Sequence, residues 1–255
     1  MIGFSIMRSN KIIIALRFLF FAVFSVFIVS TQCLANTTGD TNLYPVMTQN
    51  KVLWDYMKAL SDTYPKRKFP PASASEWDAR KPVVAEQVRH AIGIDGIEKT
   101  PLNVEVAGTL EFEDFIIEKI LFESRPGSYI PANIYKPKNA KGKLPTVLWL
   151  HGHSDEAKAG YAWPMQMLVK KGFIVMSKDG TGAGERILTG HDHLAPCWTV
   201  GYSTKSFEIW DNIRAIDYLL SRDDVDPERL GCAGRSGGGT QTSVMVAVEP
   251  RIKSA

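Results

Sequence analysis

The chain has 255 residues, 45% of them apolar, which suits one domain of ordinary size with a buried core. Its 30 basic and 27 acidic side chains leave a net charge of +3, much of it from Arg8, Lys11 and Arg17 at the extreme N-terminus. The remainder is nearly balanced, so no basic stripe is left as a footprint for nucleic acid.

Arg8 and Lys11 open the chain, "FLFFAVFSVFIV" (18–29) follows as an apolar stretch, and "CLA" before "NTTGD" supplies small residues for a cut after Ala35. This is the pattern of a signal peptide over 1–35, and it implies an exported protein, periplasmic or extracellular. The competing reading is a retained anchor, with membrane contact only through this segment. The apolar run after Arg17 is about a dozen residues, whereas a bilayer asks for ~20. Gln32 ahead of Cys33 does not fit a lipoprotein site. With Cys33 removed, Cys197 and Cys232 remain, and an exported protein could pair them. The plainer expectation is a small buried Cys232 on a strand and a loop thiol at Cys197.

Residues 36–50 are polar and read as a loose leader. Val52, Leu53, Tyr56, Leu60 and Tyr64 fall at helical spacing in 51–64. A Pro-rich basic linker spans 64–75. A second helix is expected over 81–93, with Pro82 in its first turn, Val84, Val88 and Ile92 on one face and Gly93 as its exit. His90, in the last turn, complements the helix dipole. These helices make up an N-terminal extension over 36–100.

From residue 102 the period changes to that of strands, with "RPGS" as a turn between "FIIEKILFES" and "YIPANIYK". Strand and helix then alternate. "TVLWLH" (146–151) is a continuous apolar run, as a strand covered on both faces must be. "YAWPMQMLVKK" is a helix, "FIVMSKD" (173–179) a strand, "SFEIWDNIRAIDYLLSR" a helix, "DVDPERL" a connection, "RLGCAG" a strand and "GGTQTSVMVAVE" a helix. The implied domain, 101–255, is an α/β domain with a mostly parallel sheet and helices on both faces. Its site belongs in the loops at the carboxyl ends of the strands.

Gly234-Arg235-Ser236-Gly237-Gly238 stands between an apolar strand and an apolar helix, which makes G-x-S-x-G a nucleophile elbow. Flanking glycines avoid collisions, Ser236 is pushed into the open, and the Gly237 N–H points from a helix N-terminus toward a developing oxyanion. His151-Gly152-His153 ends the presumed central strand. Gly152 allows close backbone approach, the His153 N–H is the second oxyanion donor, and His151 braces the loop. "KDGTGAGER" is not a dinucleotide fingerprint, because Glu185 stands where a glycine is needed. Glu185 and Arg186 read as paired structural charges. His191, Asp192 and His193 could join His151 and His153 around a metal, but adjacent loop residues without H-x-x-x-H spacing are a poor ligand set. A pocket wall with Trp198 and Tyr202 is the better expectation for that stretch. No metal or cofactor is expected.

Together "TVLWLHGH", "KDGTGAGER", "SFEIWDNIRAIDYL" and "DPERLGCAGRSGGGTQT" resemble the α/β-hydrolase superfamily, and within it the bacterial exported acetyl xylan esterase and dienelactone hydrolase-like branches. The resemblance covers about 100–255. It implies ester hydrolysis through an acyl-enzyme, with Ser236 as nucleophile, His153 and Gly237 as oxyanion donors and a carbohydrate or small-molecule ester as substrate. In such a family an acid and a histidine follow the serine. Here all five histidines precede Ser236, and Glu249 lies at the far end of a helix rising ~18 Å. "RIKSA" reads as the opening of a further strand. The expectation from these two observations is a C-terminally truncated sequence, with the last strands missing. The alternative is a catalytically silent fragment or binding module that keeps the pocket.

Overall fold

The computed structural model describes residues 44–63, 71–189 and 197–255. The chain divides into two compact units, Met1–Pro70 and Pro71–Ala255. In the first, the described element is helix α1 (Tyr44–Thr63). It starts within the stretch expected to be a loose leader, and Pro45 in its first turn is the start signal the periodicity overlooked. Val52, Leu53, Tyr56 and Leu60 of α1 are exposed. The segment 1–35 expected to be a signal peptide and most of the linker lie outside the described residues. Among the described residues no helix is long and apolar enough to cross a membrane.

The second unit opens with α2 (Ala74–Ala91), seven residues longer at its start than the hydrophobic pattern suggests. The Ser73 hydroxyl accepts from the Glu76 N–H at 3.1 Å, and the Glu76 carboxylate accepts from the Ala72 N–H at 2.7 Å. This S-x-x-E cap fixes the true N-terminus and leaves Pro82 inside the helix. Val88 and Ile92 pack on the core, and Gly93 exits with φ +68°.

Six strands form one sheet in the order β1-β2-β3-β5-β4-β6: β1 (Glu105–Glu111), β2 (Phe115–Arg125), β3 (Ser128–Pro137), β4 (Leu144–Leu150), β5 (Ile174–Lys178) and β6 (Val225–Gly234). The sheet is mixed, where a mostly parallel one was expected. Strands β4, β5 and β6 run parallel, while β1, β2 and β3 add antiparallel pairs. The reason is local: connections as short as the Gly127 turn allow only antiparallel neighbours. Strand β6 starts at Val225, inside the expected connection. It then bulges, since Leu144 faces Val225 but Thr146 faces Leu230.

Helices cover both faces. On one, α3 (Ala162–Val169) sets Met165 and Val169 against Phe115, Ile117, Tyr135 and Val175. On the other, α4 (Thr204–Leu220) and α5 (Gly237–Val248) bury Ile209, Trp210, Ile216, Met245 and Val248 against Phe122, Ile134, Leu148 and Met176. Beyond α5 the chain returns to the sheet. Lys253 donates to Leu230 O at 2.8 Å and Cys232 to Ser254 O at 2.9 Å, with Ser254 parallel to Gly231. This isolated bridge lies where "RIKSA" was expected to open a strand. Glu249, paired with Arg251 at 2.6 Å, anchors the return. Cys197 and Cys232 are both free, Cys232 being buried on β6.

Candidate active site

Strand β6 ends at Gly234 and α5 begins at Gly237, so Arg235 and Ser236 make the whole turn. Ser236 has φ 54° and ψ −119°, a conformation that L side chains avoid and that persists only where neighbours over-determine it. The neighbours are backbone atoms. A Cβ on Gly238 would lie 2.0 Å from Leu150 O, and one on Gly234 would lie 2.6 Å from the Gly238 carbonyl. Strand and helix therefore touch without intervening side chains, and the serine is raised at the tip.

The loop after β4 closes over the same turn. A Cβ on Gly152 would stand 2.7 Å from Arg235 O and 3.0 Å from the Ser236 Cβ. The Gly152 N–H donates to the Tyr161 hydroxyl at 3.2 Å. The next residue, His153, carries its ring over Gly237, within 3.2 Å of where a Cβ on that glycine would be. The segments bearing His153 and Gly237 thus converge beside Ser236.

His151 is buried between two loops. Its Nδ1 lies 2.7 Å from Gly152 O and its Nε2 accepts the Gly180 N–H at 2.8 Å. One tautomer serves both contacts, with the proton on Nδ1. Burial pushes the ring's pKa down, which keeps it neutral. With both nitrogens engaged, His151 holds the loops together and has no lone pair left for the serine proton.

The loop after β5 is held by charge. Asp179 is fully buried and accepts from Lys158 Nζ at 2.5 Å, from the Lys158 N–H at 3.2 Å and from the Glu185 N–H at 3.0 Å. Lys158 also reaches Glu185 at 2.5 Å, and Arg186 pairs with Asp211 at 2.8 Å. Glu185 and Arg186 are thus paired, as expected. Between this loop and the elbow lies a cavity of about 150 Å³ lined by His153, Thr181, Lys205, Glu208, Gly237 and Gln241, among others.

Of the residues singled out in the sequence, Gly152, His153, Gly234, Arg235, Ser236, Gly237 and Gly238 meet at the elbow, and His151 lies beneath. His191, Asp192 and His193 lie outside the described residues. Trp198 is 71% exposed and Tyr202 packs on Phe207, and neither lines the cavity. The pocket wall expected of them is not part of this cavity. Among the described residues no group of three or more His, Cys, Asp or Glu side chains could hold a metal ion. Sequence reasoning missed Lys158, Lys205, Glu208 and Gln241. Only Gln241 carried a signal, since four residues after Gly237 on a helix is the same face.

Residues 159–252 match the model of the prolyl oligopeptidase family. YtaP of Bacillus subtilis, a hydrolase by designation, is 28% identical over 169 residues, 61% of this chain and 56% of its own length. An acetylxylan esterase of Coprinopsis cinerea is 28% identical over 137 residues, half of this chain and 34% of its own. A Bacteroides fragilis structure designated an acetyl xylan esterase superposes with a TM-score of 0.65 at 17% identity, covering 76% of this chain and 57% of that one. The chain thus spans little more than half the length of YtaP. Sheet order, helix placement, elbow geometry and these likenesses agree: the chain has the α/β-hydrolase fold, and residues 159–252 are similar to the prolyl oligopeptidase family.

Proposed function

We propose that this protein hydrolyses carboxylic esters through an acyl-enzyme on Ser236. The observation that carries the reading is Ser236 at φ 54°, lifted between Gly234 and the α5 N-terminus and facing the Gly152 loop. In the reaction the Ser236 oxygen attacks the ester carbonyl while its proton passes to a general base, which hands it on to the departing alcohol. The carbonyl oxygen gains charge and is held by the N–H groups of Gly237 and His153, where fixed dipoles stabilise it most. The intermediate collapses with loss of the alcohol, and water then releases the acid by the same steps in reverse roles. The triad acid and histidine are assigned to no residue of this chain.

The substrate we favour is an acetyl ester on a carbohydrate, as in acetyl xylan, a reading supported by the designations of the Coprinopsis and Bacteroides proteins. An exported location follows from the pattern of 1–35. The test is turnover of p-nitrophenyl acetate by the full chain and by Ser236→Ala. A wild-type rate that falls at least about 10³-fold in the variant is expected. Equal rates would refute the serine mechanism, and no turnover in either would leave a silent binding pocket.

A further inference from the structure

The proposed chemistry uses the elbow and the Gly152 loop but not the far wall of the cavity. There Lys205 and Glu208 stand one turn apart at the start of α4, with Lys205 Nζ donating to Glu208 Oε2 at 2.5 Å. Glu208 is only 5% exposed and lines the cavity, with the buried Lys178 and His151 within its electrostatic reach. Gln241 is 7% exposed and lines the cavity one turn of α5 beyond Gly237. Its Oε1 accepts from Asn212 Nδ2 at 2.9 Å, so the amide's donor end is the one left to the cavity.

Three polar groups therefore meet beside the elbow: a carboxylate oxygen that accepts, an ammonium that donates and an amide that donates. A group that both donates and accepts satisfies them, which describes a hydroxyl, and adjacent hydroxyls do so best. Folding alone does not call for them, since a buried ion pair contributes little that apolar side chains would not. The cavity of about 150 Å³ has the volume that takes a six-membered ring. Its charge selects further. Asp155 and Glu208 line it against Lys205, with His151 held neutral, so an anionic ring would meet more like than opposite charge. An acetyl group has no hydroxyl to offer, which places the ring on the alcohol side of the ester.

We infer that Lys205, Glu208 and Gln241 form a subsite for adjacent hydroxyls of a neutral sugar ring, positioned as the leaving group of the ester cleaved at Ser236. The placement on the alcohol side rests on the esterase reading. The sugar preference is tested apart from it, with methyl β-D-xylopyranoside, which has no ester, as the probe. Its dissociation constant is measured by NMR titration of the full chain. Millimolar binding is expected, weakened about tenfold in each of Glu208→Gln, Lys205→Met and Gln241→Leu, as for loss of one charge-assisted or neutral hydrogen bond. Methyl β-D-glucuronide should bind more weakly than the xyloside. Lys253→Ala, on the sheet edge, should bind as the wild type does, and melting curves confirm that each variant is folded. Wild-type affinity in all three variants, no xyloside binding, or tighter binding of the glucuronide would overturn the subsite. Sugar binding without p-nitrophenyl acetate turnover would keep the subsite and remove the esterase reading. Turnover without sugar binding would do the opposite.

Discussion

Two walls of the cavity are built by opposite means. The elbow wall is made of backbone on backbone: Gly238 against Leu150, Gly152 against Arg235, with no room for even one carbon. The β5 wall is the loop Gly180, Thr181, Gly182 and Ala183, held from behind by long charged side chains, Lys158 with Asp179 and Glu185, and Arg186 with Asp211. The first wall is rigid because sterics tolerate no alternative. The second holds only while its charges stay paired in a poorly solvated place. Precision at the reacting atom thus comes from missing side chains, and loop placement comes from present ones. His151 bolts one to the other through Gly152 and Gly180.

That contrast can be broken at several points. The largest effect is expected for Gly238→Ala. A methyl 2.0 Å from a backbone oxygen forces strand and helix apart, costing about 3 kcal/mol or more, and the thermal unfolding transition should shift far down or vanish. On the other wall, Lys158→Met leaves Asp179 buried without its cation. A loss of about 3–5 kcal/mol is expected by denaturant titration. Ordinary stability after either change would mean that wall is softer than described here.

Intermediate in size is the bolt. His151→Phe removes two hydrogen bonds and orphans the Gly180 N–H, a loss of about 2 kcal/mol. The wild type should also lose stability in acid. The folded pKa of His151 lies below its ordinary 6.5, so the unfolded chain takes up the proton first. Its contribution is complete above pH 6.5 and declines as the pH falls below it. Melting temperatures measured across that range should drop for the wild type and drop less for His151→Phe. The smallest effect is expected at the tip. Ser236→Gly relieves the positive φ and should raise stability by about 1 kcal/mol while abolishing turnover. A destabilised Ser236→Gly would show that the serine is not strained.

Much of this was legible in the chain. The apolar run at 146–151, the glycines around Ser236 and the alternation of strand and helix are local patterns, and local patterns suffice to place β4, the elbow and helices on both faces. Helix starts were less legible, because apolar spacing does not mark a helix whose first turns are exposed. Pro45 in the first turn of α1 and the Ser73 cap of α2 did that instead. The antiparallel half of the sheet was present in the short turns but outweighed by the parallel pattern that follows it.

Sequence alone determined which residue is raised at the tip of the turn, since a G-x-S-x-G between an apolar strand and an apolar helix has few conformations open to it. It also carried the resemblance to the α/β-hydrolase fold that the sheet order bears out. Only the tertiary structure decided what surrounds Ser236. Lys158 meets Asp179 from 21 positions away, and Asn212 meets Gln241 from 29. No spacing rule reaches that far, because those partners are chosen by how helices and loops pack across the sheet and not by the period of either element.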